Sequence, residues 1–125
     1  MTNLTLKLLA ALITVESNGN DQAVNFAGQS WGCLQQKSIY IRDVNRIYGT
    51  NFSLTDVASS RQIATAIYQL YMRYYATPER LGRQVTAQDI ARIHNGGPDG
   101  WRKPRTLRYW YKVKQEMERQ KSLQG

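Results

Sequence analysis

A chain of 125 residues has room for one hydrophobic core and excludes a pair of independent domains. With 42% apolar and 21% charged residues it is neither a disordered tail nor a fibrous repeat, and its net charge of +8 predicts polyanionic surroundings: nucleic acid, an acidic membrane or an acidic wall polymer. Cys33 is the only cysteine, which excludes an intramolecular disulfide and leaves packing to hold the fold, as a reducing compartment would allow.

Taken in order, the first element is a helix. Leu4, Leu8, Ala11, Leu12 and Val15 recur at three- and four-residue steps. Asn18 and Gly19 both tolerate the left-handed conformation that ends helices. Lys7 interrupts this apolar run and Glu16 follows it, so it reads as part of the fold and not as an export signal. From Asn18 to Gly32 a polar connection follows, in which Gly28-Gln29-Ser30-Trp31-Gly32 is too rich in turn formers for a helix. Any sheet is expected to be a small hairpin between Val24 and Gln36. A short helix is predicted from Ile39 to Tyr48, stopped by Gly49. Ser59-Ser60-Arg61-Gln62 has the form of a capping box opening the strongest helix, with Ile63, Ile67, Leu70, Tyr71 and Tyr74 along one face. Thr77-Pro78 starts a helical turn that ends at Gly82. Thr86-Ala87-Gln88-Asp89 caps another helix, which Asn95-Gly96-Gly97-Pro98 terminates. Pro104 and Thr106 introduce the last helix, with Trp110, Val113 and Met117 on one side and a polar, frayed tail beyond. The expected class is mainly α, as a single domain over residues 1–125 with a core from about 4 to 117 and at most a vestigial β-hairpin. No run is long enough to span a membrane.

Three junctions place polar groups where backbone can approach a ligand closely. They are Glu16-Ser17-Asn18-Gly19-Asn20, Trp31-Gly32-Cys33-Leu34-Gln35 and His94-Asn95-Gly96-Gly97. Glu16 carries the chemistry. It stands at the negative end of a helix dipole, a poor position for a carboxylate, and a carboxyl kept protonated is what a general acid needs. A surface glutamate at a frayed helix end would look the same on this stretch alone.

The order of these junctions resembles the lysozyme-like superfamily of peptidoglycan-cleaving enzymes over most of residues 12–113. Val15-Glu16-Ser17-Asn18-Gly19-Asn20, Gly32-Cys33-Leu34-Gln35 and Thr106-x-x-Tyr109-x-x-Lys112-Val113 resemble three segments of the soluble lytic transglycosylases. Ala91-Arg92-Ile93-His94-Asn95-Gly96-Gly97-Pro98-x-Gly100 and Thr106-Leu107-x-Tyr109-Trp110-x-Lys112-Val113 are similar to segments of invertebrate-type lysozymes, as is the Tyr68 to Tyr74 stretch. The resemblance implies a muramidase that cuts the β-1,4 bond between N-acetylmuramic acid and N-acetylglucosamine. It makes Glu16 the general acid and peptidoglycan glycan strands the partner, and it calls for no cofactor and no metal. It also implies Ser17, Gln35, His94, Asn95, Gly96 and Tyr109 as substrate-binding or orienting residues. A structural role is open for His94, the only histidine, and a core role for Tyr109. One histidine and one cysteine do not make a metal-ligand set.

Two departures bear on mechanism. The invertebrate-type enzymes are rich in disulfides, and this chain has none to form. Their second carboxylate falls seven residues before the glycine of the second junction, which is Asn25 here, and no Asp or Glu occurs from Gln22 to Arg42. Glycosidases of both stereochemical courses need a second carboxylate. An asparagine can hold a water but cannot ionise, and Asp21 is the fallback partner. A lytic transglycosylase, which by resemblance manages with one glutamate, is therefore the alternative. A non-catalytic wall-binding module and a nucleic-acid-binding domain are rivals of other classes; the second leaves the three glycine junctions unaccounted for, so no nucleic acid is expected. A monomer is expected, acting on the wall as a phage lysin, a virion enzyme or part of a longer exported protein.

Overall fold

Helix α1 (Asn3–Ser17) forms where the apolar stripe predicts it. The computed structural model describes residues 3–27 and 29–124, with only the backbone at positions 3 and 4, so the Leu4 side chain and Gly28 of the sequence reading lie outside the described residues. Leu8, Leu9, Ala11, Leu12 and Ile13 are buried and Val15 is half-buried. At about 25 cal/mol for each Å² of apolar surface removed from water, the buried leucine and isoleucine side chains contribute on the order of 2 kcal/mol each. The helix stops where expected, because Asn18 (φ 53°) and Gly19 (φ 83°) take the left-handed conformation.

The chain forms two compact units. One is the segment Glu16–Tyr74. It opens with a three-stranded antiparallel sheet: β1 (Val24–Asn25), β2 (Ser30–Trp31) and β3 (Gln36–Lys37), in the order β1-β2-β3. Val24 pairs with Trp31, Asn25 with Ser30, Ser30 with Lys37 and Trp31 with Gln36. The expected hairpin is thus extended by a third strand. Gln36 supplies the reason, since it is 1% exposed and its amide donates to the Ala64 carbonyl at 2.9 Å, an anchor that fixes the strand against a helix.

Helix α2 (Ser38–Tyr48) ends at Gly49 with φ 66°, as predicted. A short helix α3 (Leu54–Val57) follows, unannounced by any apolar periodicity but opened by a reciprocal capping box between Ser53 and Asp56. Helix α4 (Arg61–Tyr75) departs from expectation at its start. The Ser60 hydroxyl, and not Ser59, accepts the Ile63 amide at 3.1 Å, so Gln62 stands one place too early to complete a box. Its buried stripe is Ala64, Ile67, Tyr68, Tyr71 and Met72, whereas Tyr74 is half exposed. Tyr71 stacks on Tyr40 of α2 with ring centroids 3.8 Å apart, and the Tyr48 hydroxyl donates to the Leu70 carbonyl. These contacts set the face that α4 buries.

The other unit comprises Met1–Val15 and Tyr75–Gly125. It holds α5 (Pro78–Leu81), capped by Thr77 as predicted, and α6 (Ala87–Gly96), opened by a Thr86–Asp89 capping box. Burial alone would raise the Asp89 carboxyl. Arg83, with nitrogens 2.7 Å from both its oxygens, and the Thr86 amide and hydroxyl more than offset this and hold it below the usual carboxylate range. Two 3-10 turns, Gly100–Arg102 and Pro104–Thr106, lead into α7 (Leu107–Leu123). The predicted frayed tail is helical as far as Leu123. The Gln120 amide donates to Thr14 of α1 at 3.2 Å and to Glu116 at 3.1 Å, which gives a polar segment a reason to stay folded. Among the described residues no helix is long and apolar enough to cross a membrane.

Candidate active site

Glu16 occupies the last turn of α1 and is half-buried. Two long-range ties hold the turn that follows it. The Ser17 hydroxyl donates to the Cys33 carbonyl at 2.8 Å. Arg61, at the start of α4, donates from Nε to the Asp21 carboxylate at 2.6 Å and from Nη2 to the Gly19 carbonyl at 2.7 Å. The backbone adds a 3.1 Å bond from the Asn20 amide to the Ser17 carbonyl. Hence the segment directly after Glu16 is fixed from two sides within one unit.

The second junction is built just as tightly. Gly32 has φ 80°, and a Cβ there would stand 2.4 Å from the Val57 carbonyl oxygen, so no other residue fits. The Gly32 amide donates to the Ala23 carbonyl at 2.7 Å, and the Gln35 side-chain amide donates to the carbonyls of Ala23 (3.2 Å) and Gly32 (3.0 Å). Gln35 therefore uses its N–H groups to tie the sheet to this loop. Cys33 is fully buried, and burial raises its thiol above the ordinary range, which suits an inert packing residue. Asn25 lies exposed on β1, opposite Ser30.

Glu16, Ser17, Asp21, Asn25 and Gln35 thus fall together in the unit Glu16–Tyr74, while His94, Asn95, Gly96 and Tyr109 fall in the other. There, His94 is 7% exposed on the last turn of α6, Asn95 is exposed and Tyr109 is half-buried on α7. Close packing requires Gly96 of this junction and Gly100 beyond it, whereas nothing lies within 4 Å of a Cβ on Gly97. A Cβ on Gly96 would meet Thr106 Cγ2 at 2.5 Å, and one on Gly100 would meet the Arg92 carbonyl at 2.0 Å. Lys103 Nζ donates to the Gly96 carbonyl at 2.9 Å.

Sequence reasoning missed two arginines. Arg61 reads as an ordinary first-turn residue, and its partners lie forty residues earlier, where no local pattern signals them. Arg92 is buried, donating to the Thr106 hydroxyl at 2.7 Å and the Lys103 carbonyl at 2.9 Å. Thr106 Oγ1 is also 2.7 Å from the Gly100 carbonyl and 2.8 Å from that of Lys103. The threonine that opens the Thr106-x-x-Tyr109 segment is therefore a structural knot at the entry to α7.

Removing the Arg61 tie has a predictable outcome. Its side chain is 47% exposed and that of Asp21 is 43% exposed, so the pair is worth at most about 1 kcal/mol. Arg61→Ala is expected to lower global stability by no more than that in denaturant titration. It should nonetheless speed amide hydrogen exchange locally at residues 19–22. Unchanged exchange there would show that the guanidinium does not hold the loop.

Comparison with known proteins matches this architecture. The chain is 34% identical over 110 residues to a lysozyme of Magallana gigas, covering 86% of this chain and 77% of that one. It is 48% identical over 42 residues to an invertebrate-type lysozyme of Ruditapes philippinarum, a match covering 34% of this chain and 29% of that one. Among solved structures, it superposes with a TM-score of 0.75 and 29% identity on a chain from the crystal structure of Aeromonas hydrophila PliI in complex with Meretrix lusoria lysozyme, covering 87% of each. No protein-family model matches the chain. The fold is the mainly α, lysozyme-like one. The chain belongs to the lysozymes, and its function is of the lysozyme type.

Proposed function

We propose that this chain is a muramidase that cleaves the β-1,4 bond between N-acetylmuramic acid and N-acetylglucosamine in peptidoglycan, acting as a monomer and without a cofactor. Glu16 is its general acid, protonating the departing glycosidic oxygen. The observation that carries this reading is the placement of Glu16 on the final turn of α1, ahead of a turn fixed by Ser17 and Arg61. A general acid must be held in one geometry, and these ties restrain the backbone beside it.

Capture of the oxocarbenium-like centre that follows is the step in which two routes differ. In the first, water held by an amide such as that of Asn25 attacks, and the product has a reducing end. In the second, the muramic acid's own C6 hydroxyl attacks and a 1,6-anhydro sugar results, as in the lytic transglycosylases. The ion pair of Asp21 with Arg61 favours the second route, because it engages the carboxylate nearest in sequence to Glu16. The family membership favours the first, and we adopt it. Ser17 and Gln35 act in both routes by holding the Glu16 turn and the glycine loop, while Asn95 and Tyr109 offer polar groups to the N-acetyl sugars.

The two products differ by one water, so mass spectrometry of digested sacculi separates them. Mostly reducing-end muropeptides are expected; mostly anhydro products would move the assignment to the transglycosylase, and no released fragments would leave a wall-binding module. Asn25→Asp should raise the hydrolytic share, since it places an ionisable group at the position where the resemblance implies a second carboxylate.

A further inference from the structure

The charge of the chain is not spread evenly over its last helix. Successive residues of an α-helix turn by about 100°, so positions three and four apart share a face. In α7, Arg108, Lys112, Gln115 and Arg119 follow one another at such steps. Arg105 precedes them in the 3-10 turn Pro104–Thr106, where residues three apart eclipse and continue the row. Arg105, Arg108 and Lys112 are exposed, and among the described residues no carboxylate pairs with any of them. Arg119, at the far end, pairs with Glu116. The buried side of the helix, marked by Val113, lies elsewhere on the wheel. Lys112 has Glu116 four residues on, but that carboxylate is held by Arg119 and Gln120. Lys114 and Lys121 differ, because Glu118 stands four residues from one and three from the other.

Three uncompensated cations in a row cost stability through self-repulsion and serve no packing. Their steps of about 6 Å along the axis are comparable to the repeat of an extended phosphodiester chain. We propose that the Arg105–Arg108–Lys112 edge of α7 is a docking surface for a phosphodiester-linked anionic polymer of the bacterial wall, holding the protein on the wall apart from the bond it cuts. A base-bearing single strand would draw affinity from stacking platforms. Among the described residues of α7, Tyr111, 61% exposed, is the one fully exposed ring, and a polymer of phosphate and polyol needs none. The proposal rests on the reading that the chain works on bacterial walls.

The test compares two variants that each remove two charges from the same helix, both checked for native helicity. Binding of the wild type and both variants to a soluble poly(glycerol phosphate) is measured at physiological salt. Arg108→Gln/Lys112→Gln is expected to bind roughly tenfold more weakly with a shallower salt dependence, and Lys114→Gln/Lys121→Gln to bind nearly as the wild type does. Equal losses in both variants would mean that net charge alone acts, and would overturn the proposal, as would absence of wild-type binding. A single-stranded oligonucleotide held more tightly by the same edge would overturn it in favour of a nucleic-acid surface. Cleavage of acid-stripped, polymer-free glycan strands is measured in parallel. Activity there that is equal in wild type and Arg108→Gln/Lys112→Gln supports docking apart from catalysis. Inactivity of the wild type would sink the muramidase reading while leaving the binding result to stand.

Discussion

Glu16→Gln is expected to lower the rate of wall clearing by at least about a hundredfold, the usual worth of a general acid, or roughly 2.7 kcal/mol of barrier. Glutamine keeps the size of the side chain and its hydrogen-bonding capacity but carries no transferable proton. The bonds that Ser17, Asn20 and Arg61 make to fix this turn remain in the variant. With those bonds kept the variant should stay folded, and the loss should appear in kcat with KM preserved. Turbidity assays on bacterial walls, beside a thermal melt of the same protein, read both quantities. A folded Glu16→Gln protein that clears walls at near the wild-type rate would refute the assignment, whatever the products are.

The parts of this molecule that could be read from the chain are those whose causes are local. The left-handed stops at Asn18, Gly19 and Gly49 follow from residue types that tolerate positive φ. The Thr77 and Thr86 caps follow from a hydroxyl placed ahead of helix-forming residues, and the apolar stripe of α1 from spacing alone. What escaped depends on partners distant in sequence. The third strand exists because Gln36 bonds to Ala64, twenty-eight residues on, and the helical C-terminus persists because Gln120 reaches Thr14. The α4 cap was misplaced by one residue because two serines stand side by side, and only the geometry of the chain entering the helix selects Ser60. The exposure of Tyr74 has the same origin. Stacking of Tyr71 on Tyr40 sets the buried face, and spacing alone does not report it.

The candidate site divides in the same way. The place of Glu16 on the last turn of α1 was legible, because the apolar spacing before it and the left-handed stop after it are both local. Ser17 and Gln35 were singled out as substrate-binding or orienting residues, and the structure gives both of them bonds to backbone. Each spends its donors on backbone carbonyls across the loop, Ser17 on Cys33 and Gln35 on Ala23 and Gly32, so the junctions conserve a shape before they offer a contact. The same holds for Gly96 and Gly100, whose missing side chains let α6 lie against the 3-10 turns. Arg61 and Arg92 had no local signature at all, since a guanidinium that binds carbonyls far away looks like any other surface charge in the chain.

Gly32→Ala is expected to be the most damaging single methyl in the unit Glu16–Tyr74, and a comparison with Gly49→Ala shows why. Both glycines have positive φ, 80° at Gly32 and 66° at Gly49, so both alanines incur the left-handed penalty of about 1–2 kcal/mol. At Gly49 nothing lies within 4 Å of the new Cβ, and the cost ends there. At Gly32 the Cβ would also stand 2.4 Å from the Val57 carbonyl oxygen and 2.9 Å from Val57 Cγ1. The carbonyl belongs to backbone and cannot swing aside as a side chain would, so overpacking adds roughly 1–3 kcal/mol more. The total, roughly 2–5 kcal/mol, is a large share of the 5–15 kcal/mol that holds an average domain together. Thermal melts should show Gly32→Ala unfolding on the order of ten degrees or more below wild type, and Gly49→Ala only a few degrees below it. The Gly32 amide and carbonyl also bond to Ala23 and Gln35, so relief of the clash by backbone movement would break the loop that Ser17 grips through Cys33. Equal melting of the two variants would show that α3 yields to the added methyl and that the fit at Gly32 is looser than these distances imply.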